Sequence, residues 1–205
     1  MITKVIILEG SGDLTFINWL ISKAHTNLLE NTRIIEVKGK PFVKPYIKNH
    51  IINCVYDEKN QLNYDEKEIE CVLLIKDFDL DDSPDEYEEE KLELEQLDIN
   101  FDKYYISGTE PAPRALETLF IENDGELLRE FVKLIKDFNQ QRQAAEKDYL
   151  ESSNDKFLFH EFFKFMGKKS KFSAAFFDEI FSDDRFADFP DIRNLIDRIK
   201  RFIEE

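Results

Sequence analysis

Two short apolar runs, each followed closely by acidic residues, decide the fold of this chain. The first is KVIIL at residues 4–8, which is followed by EGSGD at residues 9–13. The second is CVLLI at residues 71–75, which is followed one residue later by DFD at residues 77–79. Continuous apolar runs are typical of parallel strands that are buried on both faces. Because ligands of such sheets bind beyond the carboxyl ends of the strands, we expect the two acidic clusters to converge.

Converging carboxylates favour a cation site. Three or four carboxylates in one crevice repel each other unless they hold cations. Ligand sets made only of oxygen atoms suit Mg²⁺ or Mn²⁺. The sequence therefore predicts a divalent-metal site at the ends of these two strands.

Length and composition bound the class of protein. The chain has 205 residues, of which 42 % are hydrophobic, and this suits one domain with a helical extension. No apolar run approaches the roughly 18–20 residues of a membrane span, and MITK at residues 1–4 leads straight into a strand pattern, so we expect no signal peptide. The only two cysteines, Cys54 and Cys71, favour a reduced cytoplasmic protein.

The negative charge is unevenly distributed along the chain. The formal net charge is −16, and residues 77–97 alone contribute −10 through eleven acidic side chains and Lys91. Such a charge argues against a general nucleic-acid coat protein, which would normally show a basic face. Residues 156–171, in contrast, contain five lysines and one acid, Glu161, and this strip can meet phosphate.

Strand and helix patterns alternate over the first part of the chain. This alternation predicts an α/β fold, a parallel sheet of about four strands joined by right-handed crossovers and flanked by helices. The predicted strands are residues 4–8, 32–37, 69–75 and 103–106. The predicted helices of this part are one that begins near residue 11, with Ser11 or Asp13 as its cap, and residues 42–55, 88–97 and 115–121.

A helical pattern follows from residue 126 onward. We predict a helix with the apolar stripe Leu127, Leu128, Phe131, Leu134, Ile135 and Phe138, then helices at 156–166, at 174–181 and from Pro190. Eleven of the nineteen phenylalanines fall between residues 157 and 189, which indicates an aromatic core. We therefore divide the chain into an α/β domain, residues 1–122, and a helical C-terminal subdomain, residues 123–205.

The order of the motifs resembles the TOPRIM domain, the catalytic module of topoisomerases, bacterial primases, small ribosomal-RNA maturases and OLD-family nucleases. EGSGD at residues 9–13 looks like the Glu-Gly-x-x-Asp of OLD nucleases, and DFD at 77–79 looks like the TOPRIM Asp-x-Asp. Gly39 stands where many members have a glycine after strand two. ALETL at residues 115–119 resembles an element that follows strand four in OLD nucleases. The acidic stretch after Asp79 is longer than a compact TOPRIM domain needs.

The resemblance implies roles for particular residues. Glu9 would be a metal ligand or a general base, and the further metal ligands would be Asp13, Asp77, Asp79 and Glu117. In such sites two cations about 4 Å apart stabilise the attacking and leaving oxygens of phosphodiester cleavage. The helix N-terminus at Asp13 would also favour phosphate.

Structural roles for the same residues remain open. Asp13 can be a helix cap, Asp77 and Asp79 can begin a solvated acidic segment, and Glu117 can lie on a helix surface. Lys156 is the lysine that we expect near the scissile phosphate, on a loose likeness to OLD nucleases. The alternative is that it belongs to a solvated set with Lys164, Lys168, Lys169 and Lys171.

The three histidines, His25, His50 and His160, show no ligand spacing and are interpreted as surface or core residues. The resemblance implies a Mg²⁺- or Mn²⁺-dependent nuclease, acting on DNA more than on RNA, in defence or nucleic-acid processing. Two alternatives stay open. One is a non-catalytic TOPRIM-like module that works with a protein partner, and the other is an acidic DNA mimic.

Overall fold

The computed structural model describes residues 3–24, 31–52, 69–77, 83, 85–106, 116–118, 126–144, 155–167, 172–180 and 190–204. Four strands form one parallel sheet in the order β2-β1-β3-β4. They are β1 (Lys4–Leu8), β2 (Thr32–Glu36), β3 (Cys71–Lys76) and β4 (Asn100–Tyr105). The predicted α/β class with a four-stranded parallel sheet is confirmed.

Strand boundaries depart from the sequence-based ones where polar residues interrupt the apolar runs. The strand predicted at 69–75 begins at Cys71 and includes Lys76. The strand predicted at 103–106 begins three residues earlier, at Asn100. β4 is an edge strand whose side chains are mostly half-buried, so it tolerates the polar residues that hid it in the sequence.

Helices cover both faces of the sheet. On the first face α1 (Ser11–Lys23) packs over Ile6, Leu8, Leu73 and Ile75. The second face carries Val5, Ile7, Val72 and Leu74. It is covered by α2 (Val43–Tyr46), a π-helical turn (Ile47–Ile52) and α3 (Glu88–Glu95), and a 3₁₀ turn (Lys40–Phe42) leads into α2. Residues 53–55 of the helix predicted at 42–55 lie outside the described residues.

The C-terminal helices complete the core of the first face. They are α4 (Glu126–Ala144), α5 (Asp155–Phe165), α6 (Ala174–Ile180) and α7 (Pro190–Glu204). Buried side chains of α5, α6 and α7 share one apolar cluster with α1 and the sheet. The division of the chain at residue 122 stays a prediction, and segments on both sides of it contribute to this cluster.

Polar contacts tie the C-terminal helices to the α/β layer. The buried Lys4 ammonium donates to the carbonyl oxygen of Ile203 at 2.9 Å. The Trp19 indole donates to Asp178 at 3.0 Å, and Lys23 pairs with the same carboxylate at 2.7 Å. A cation at a helix C-terminus is favoured by the partial negative charge of the last carbonyls, as for Lys4 here.

The expectation of a solvated acidic segment was wrong in part, and the apolar stripe of α4 is only partly covered. The acidic stretch after residue 81 is not all solvated, because Glu90 is buried and lies 3.5 Å from Lys44 and 3.9 Å from Lys48. The apolar stripe of α4 is not all buried, because Leu134 and Phe138 are exposed. None of the helices among the described residues is long and apolar enough to cross a membrane.

Candidate functional site at the carboxyl ends of β1 and β3

The centre of the sheet creates a crevice at its carboxyl edge. β1 and β3 are neighbours, with Leu8 paired to Ile75, so Glu9 and Asp77 follow adjacent strand ends. The chain leaves β1 through α1 on the first face and leaves β3 toward α3 on the second face. Connections that diverge in this way open a crevice between the two strands, where ligands of α/β sheets bind.

A cleft of about 620 Å³ occupies this position. One side of it, which we call the strand-end wall, is formed by Glu9, Gly10, Ser11, Gly12, Asp13, Thr15, Gly39 and Asp77. The other side, which we call the helical wall, is formed by Leu116, Glu117, His160 and Phe172. Four of the acids that the sequence predicts as metal ligands, Glu9, Asp13, Asp77 and Glu117, therefore line one cleft.

Asp13 has a structural role as well as a place in the cleft. α1 begins at Ser11, and the residue before it, Gly10, has extended backbone. The Asp13 carboxylate accepts a hydrogen bond from the Gly10 amide at 3.0 Å. Asp13 thus caps the helix from within its first turn, which satisfies an amide and places negative charge at the positive end of the helix. Of the two residues predicted as the cap, Asp13 has this role and Ser11 does not, because Ser11 is itself the first helical residue.

Asp77 links the strand end to the opposite wall. Its carboxylate accepts a hydrogen bond from the Leu116 amide at 3.0 Å. This contact brings the short helical segment 116–118 to the edge of the sheet, and with it Glu117. The alternative that Asp77 belongs to a solvated acidic segment does not fit this contact.

Glu117 is buried, with 3 % of its surface exposed, so it is not the helix-surface glutamate that the sequence left open. Its carboxylate lies 3.6 Å from the imidazole Nε2 of His160 in α5. A buried carboxylate needs a charged or hydrogen-bonding partner. The pairing therefore holds the His160 ring at the cleft wall, although the histidine carried no signal in the sequence.

Phe172 closes the helical wall against α1. A Cβ atom added at Gly12 would lie 2.7 Å from Cδ2 of the Phe172 ring, so only glycine allows this close approach. The ring stacks on Phe177, with centroids 5.5 Å apart, and lies within 5.8 Å of Phe159. The aromatic cluster predicted from the sequence thus reaches the cleft.

Gly39, which follows β2, is also part of the strand-end wall. It has a φ of +121°, a conformation that residues with a side chain rarely adopt. Its amide bonds to the carbonyl oxygen of Glu9, and the amide of Val37 bonds to that of Leu8. The glycine expected after strand two therefore fixes the turn that holds the backbone of Glu9.

Lys76 is a further residue of this region that sequence reasoning missed, beside His160 and Phe172. It is fully buried at the end of β3, and its ammonium lies 3.1 Å from Glu86 and 3.4 Å from Glu9. It also lies 5.4 Å from the centre of the Tyr87 ring. Burial raises the pKa of Tyr87 well above its ordinary value, although the charge of Lys76 opposes this effect. A lysine at the end of a strand covered on both faces was itself a signal, since such a charge must find a carboxylate.

Two predicted residues are not settled by this geometry. Asp79 lies outside the described residues. Lys156 lies in α5, and its side chain is outside the described part of the structure. Lys164, in the same helix, is exposed and pairs with Glu161 at 2.7 Å, which agrees with the solvated alternative for that lysine.

The donor set of the cleft fits a hard divalent cation in its chemistry. The acids facing the cleft offer carboxylate oxygens, the ligands of Mg²⁺ and Mn²⁺. Within the described ranges, no three histidine, cysteine or acidic side chains are arranged closely enough to hold a metal ion by themselves. Mg²⁺ is usually held by one or two carboxylates together with water and substrate phosphates, so a site for it does not need three protein ligands.

No family model, no curated protein and no solved structure matches the chain.

Proposed function

We propose that this chain is a divalent-metal-dependent phosphodiesterase, a cytoplasmic nuclease of TOPRIM type that acts on DNA more than on RNA. The observation that carries the proposal is the placement of Glu9, Asp77 and Glu117 around one cleft at the carboxyl ends of β1 and β3. Independent parts of the chain supply the three carboxylates. An arrangement of this kind at this edge of an α/β sheet is typical of a ligand site.

Each wall has a part in the proposed reaction. Glu9 and Asp77 would hold Mg²⁺ or Mn²⁺. When bound, the ion supplies charge stabilisation to the attacking and leaving oxygens of the phosphodiester. The N-terminus of α1 lines the cleft, and its partial positive charge would favour a phosphate group there. Phe172 and the Glu117–His160 pair limit the cleft on the opposite side and orient the substrate.

A specific observation favours a second candidate, the non-catalytic module that works with a protein partner. Every described carboxylate of the cleft contacts a group of the protein: Lys76 for Glu9, the Gly10 amide for Asp13, the Leu116 amide for Asp77 and His160 for Glu117. A cleft balanced in this way is stable without a cation. A non-catalytic interaction module would need such a stable cleft but no bound cation.

Cleavage assays with matched variants separate the two candidates. Labelled single- and double-stranded DNA and RNA are incubated with Mn²⁺ or Mg²⁺ and the wild-type protein, Glu9→Gln or Asp77→Asn. Each variant should lower the cleavage rate about 100-fold or more, the size that loss of a charge-stabilising group has in other active sites. The controls Glu95→Gln and Asp197→Asn change exposed acids that do not line the cleft, and they should cleave like wild type.

Three other outcomes would change the conclusion. Cleavage that survives the loss of both Glu9 and Asp77 would contradict the site. No cleavage by the wild type, together with co-purification of a protein partner, would support the module. A partner that is lost when the acids of residues 81–90 are neutralised, but kept in Glu9→Gln, would support the DNA mimic.

A further inference from the structure

Lys76 is a buried cation that approaches Glu9 from outside the cleft. None of its side chain is exposed, and it does not line the cleft. Its ammonium hydrogen-bonds to Glu86 at 3.1 Å and lies 3.4 Å from Glu9 Oε1. One ammonium is therefore shared between two carboxylates, of which only Glu9 faces the cleft.

The surroundings of Lys76 hold the ammonium in place. The Tyr87 ring lies 5.4 Å from Nζ and is itself buried in the core of the second face. The ammonium groups of Lys44 and Lys103 lie 5.4 Å and 5.5 Å from the same ring, so further positive charge surrounds it. The two carboxylates, the buried ring and the complete burial of the side chain therefore keep the ammonium of Lys76 near Glu9.

A cation in this position opposes a metal ion on Glu9. Like charges repel, and burial weakens the screening that water provides, so the Lys76 charge disfavours a divalent ion on the neighbouring carboxylate. A phosphate group in the cleft adds negative charge and offers oxygen ligands of its own. Mg²⁺ commonly shares its coordination between a few carboxylates and substrate phosphates.

We propose that Lys76 is a positioning residue that holds Glu9 in the free protein and restrains divalent-ion binding until a phosphodiester enters the cleft. The inference rests on the proposed function, because it takes the cleft to bind a metal ion together with a phosphodiester. It adds an order of binding in which the phosphodiester enters first and the ion binds tightly only afterwards. It also assigns Glu9 the role of a ligand held by a cation rather than that of a general base.

Calorimetric titration of Mn²⁺ tests this role without requiring turnover. Wild type, Lys76→Met, Lys76→Arg and Glu86→Gln are titrated alone and with a phosphorothioate oligonucleotide that resists cleavage. Without the oligonucleotide, Lys76→Met should bind Mn²⁺ about tenfold more tightly than wild type, because the opposing charge is gone. Lys76→Arg keeps the charge and should resemble wild type.

The remaining samples give effects that a purely structural lysine would not produce. Glu86→Gln leaves the ammonium to Glu9 alone and should bind Mn²⁺ more weakly than wild type. The oligonucleotide should raise the Mn²⁺ affinity of the wild type about tenfold, within the usual range of coupling between two ligands. The same oligonucleotide should raise the affinity of Lys76→Met by a smaller factor.

Failure of this inference differs from failure of the proposed function. Equal Mn²⁺ affinity of wild type and Lys76→Met would overturn the role of Lys76, while the binding itself would still support a metal site. No Mn²⁺ binding in any variant, with or without the oligonucleotide, would overturn both. If circular dichroism shows that Lys76→Met does not fold, Glu86→Gln provides the test instead. A Mn²⁺ affinity of Glu86→Gln equal to or above that of wild type would then contradict the inference.

Discussion

The strand-end wall and the helical wall of the cleft differ in how their residues are placed. Glu9, Asp13 and Asp77 follow directly from buried strands, so the sheet positions them through a few covalent bonds. His160 and Phe172 belong to the C-terminal segment and reach the cleft only through packing of the helices on the first face. One wall is set locally along the chain, and the other is set by tertiary contacts.

Acids of both walls are balanced by groups of the protein. The sequence argument for a metal ion was that converging carboxylates repel each other. The structure brings a cation or donor to each described acid, and two of these, Lys76 and His160, are side chains that the motifs did not include. Charge balance by the protein weakens the repulsion argument, so the proposal of a metal site depends on the geometry of the cleft.

The largest expected effect on stability comes from the buried ion pairs at the strand-end wall. Lys76→Met removes the ammonium shared by Glu9 and Glu86 and should lower the free energy of unfolding by about 3 kcal/mol, as for other buried pairs that lose one partner. Urea unfolding measures this value. Glu9→Gln in the same background should then cost less than it does alone, and equal costs would show that the two residues are not coupled.

The contact between the two walls gives the next largest effect. Gly12→Ala places a Cβ atom against the Phe172 ring and should destabilise the protein by about 1–3 kcal/mol, the usual cost of overpacking. Thermal or urea unfolding shows whether the variant is less stable than wild type. The double variant Gly12→Ala/Phe172→Ala should be more stable than the sum of the single effects predicts, and simple additivity would contradict the close approach.

The hydrogen bond that joins Asp77 to the helical wall contributes less. Asp77→Asn replaces a charged acceptor of the Leu116 amide by a neutral one and should cost about 1 kcal/mol of unfolding free energy. Hydrogen exchange at the Leu116 amide should become faster. Unchanged exchange would mean that the Asp77 carboxylate does not hold the segment 116–118.

The smallest effect concerns a contact away from the cleft, between α1 and α6. Hydrogen bonds from Lys23 and Trp19 hold the pKa of Asp178 below its usual range. A lowered pKa in the folded state means that this contact stabilises the protein above the pKa of the unfolded chain, roughly 3.9. The stabilisation is lost as the pH falls through the lower pKa of the folded state.

The variant Asp178→Asn tests this pH dependence. Its thermal midpoint should lie slightly below that of wild type at pH 6, and the difference should shrink as the pH approaches 3. A difference that stays constant over this range would exclude the charged contact. Asp197→Asn changes another acid, which is exposed on α7, and serves as the control.

Much of the sheet was predictable because burial on both faces leaves a simple signal. All five residues of β1 are buried, and its predicted boundaries agree with the structure. The predicted end of β3 was one residue too early because Lys76 is a charged residue. In the fold Lys76 is buried, and two carboxylates balance its charge. The predicted β4 was too short because an edge strand with half-buried side chains can contain polar residues. One of them is Asp102, which pairs with Arg198.

The site was predictable in its strand-end wall and, in the helical wall, at Glu117. Glu9, Asp13 and Asp77 follow from motifs next to strands, whereas no local pattern marks His160, whose partner Glu117 is 43 residues away. The approach of Phe172 to Gly12 likewise depends on contacts between distant segments. Because such pairs leave no regular spacing in a single sequence, the places of His160 and Phe172 required the three-dimensional structure.

One titration tests the central claim most directly. Mn²⁺ is titrated by calorimetry into wild type and into the Glu9→Gln/Asp77→Asn variant, each with the phosphorothioate oligonucleotide present. We predict that Mn²⁺ binds to wild type and not to the variant, while circular dichroism shows that both proteins are folded. Equal binding by the two proteins would contradict a metal site at the ends of β1 and β3.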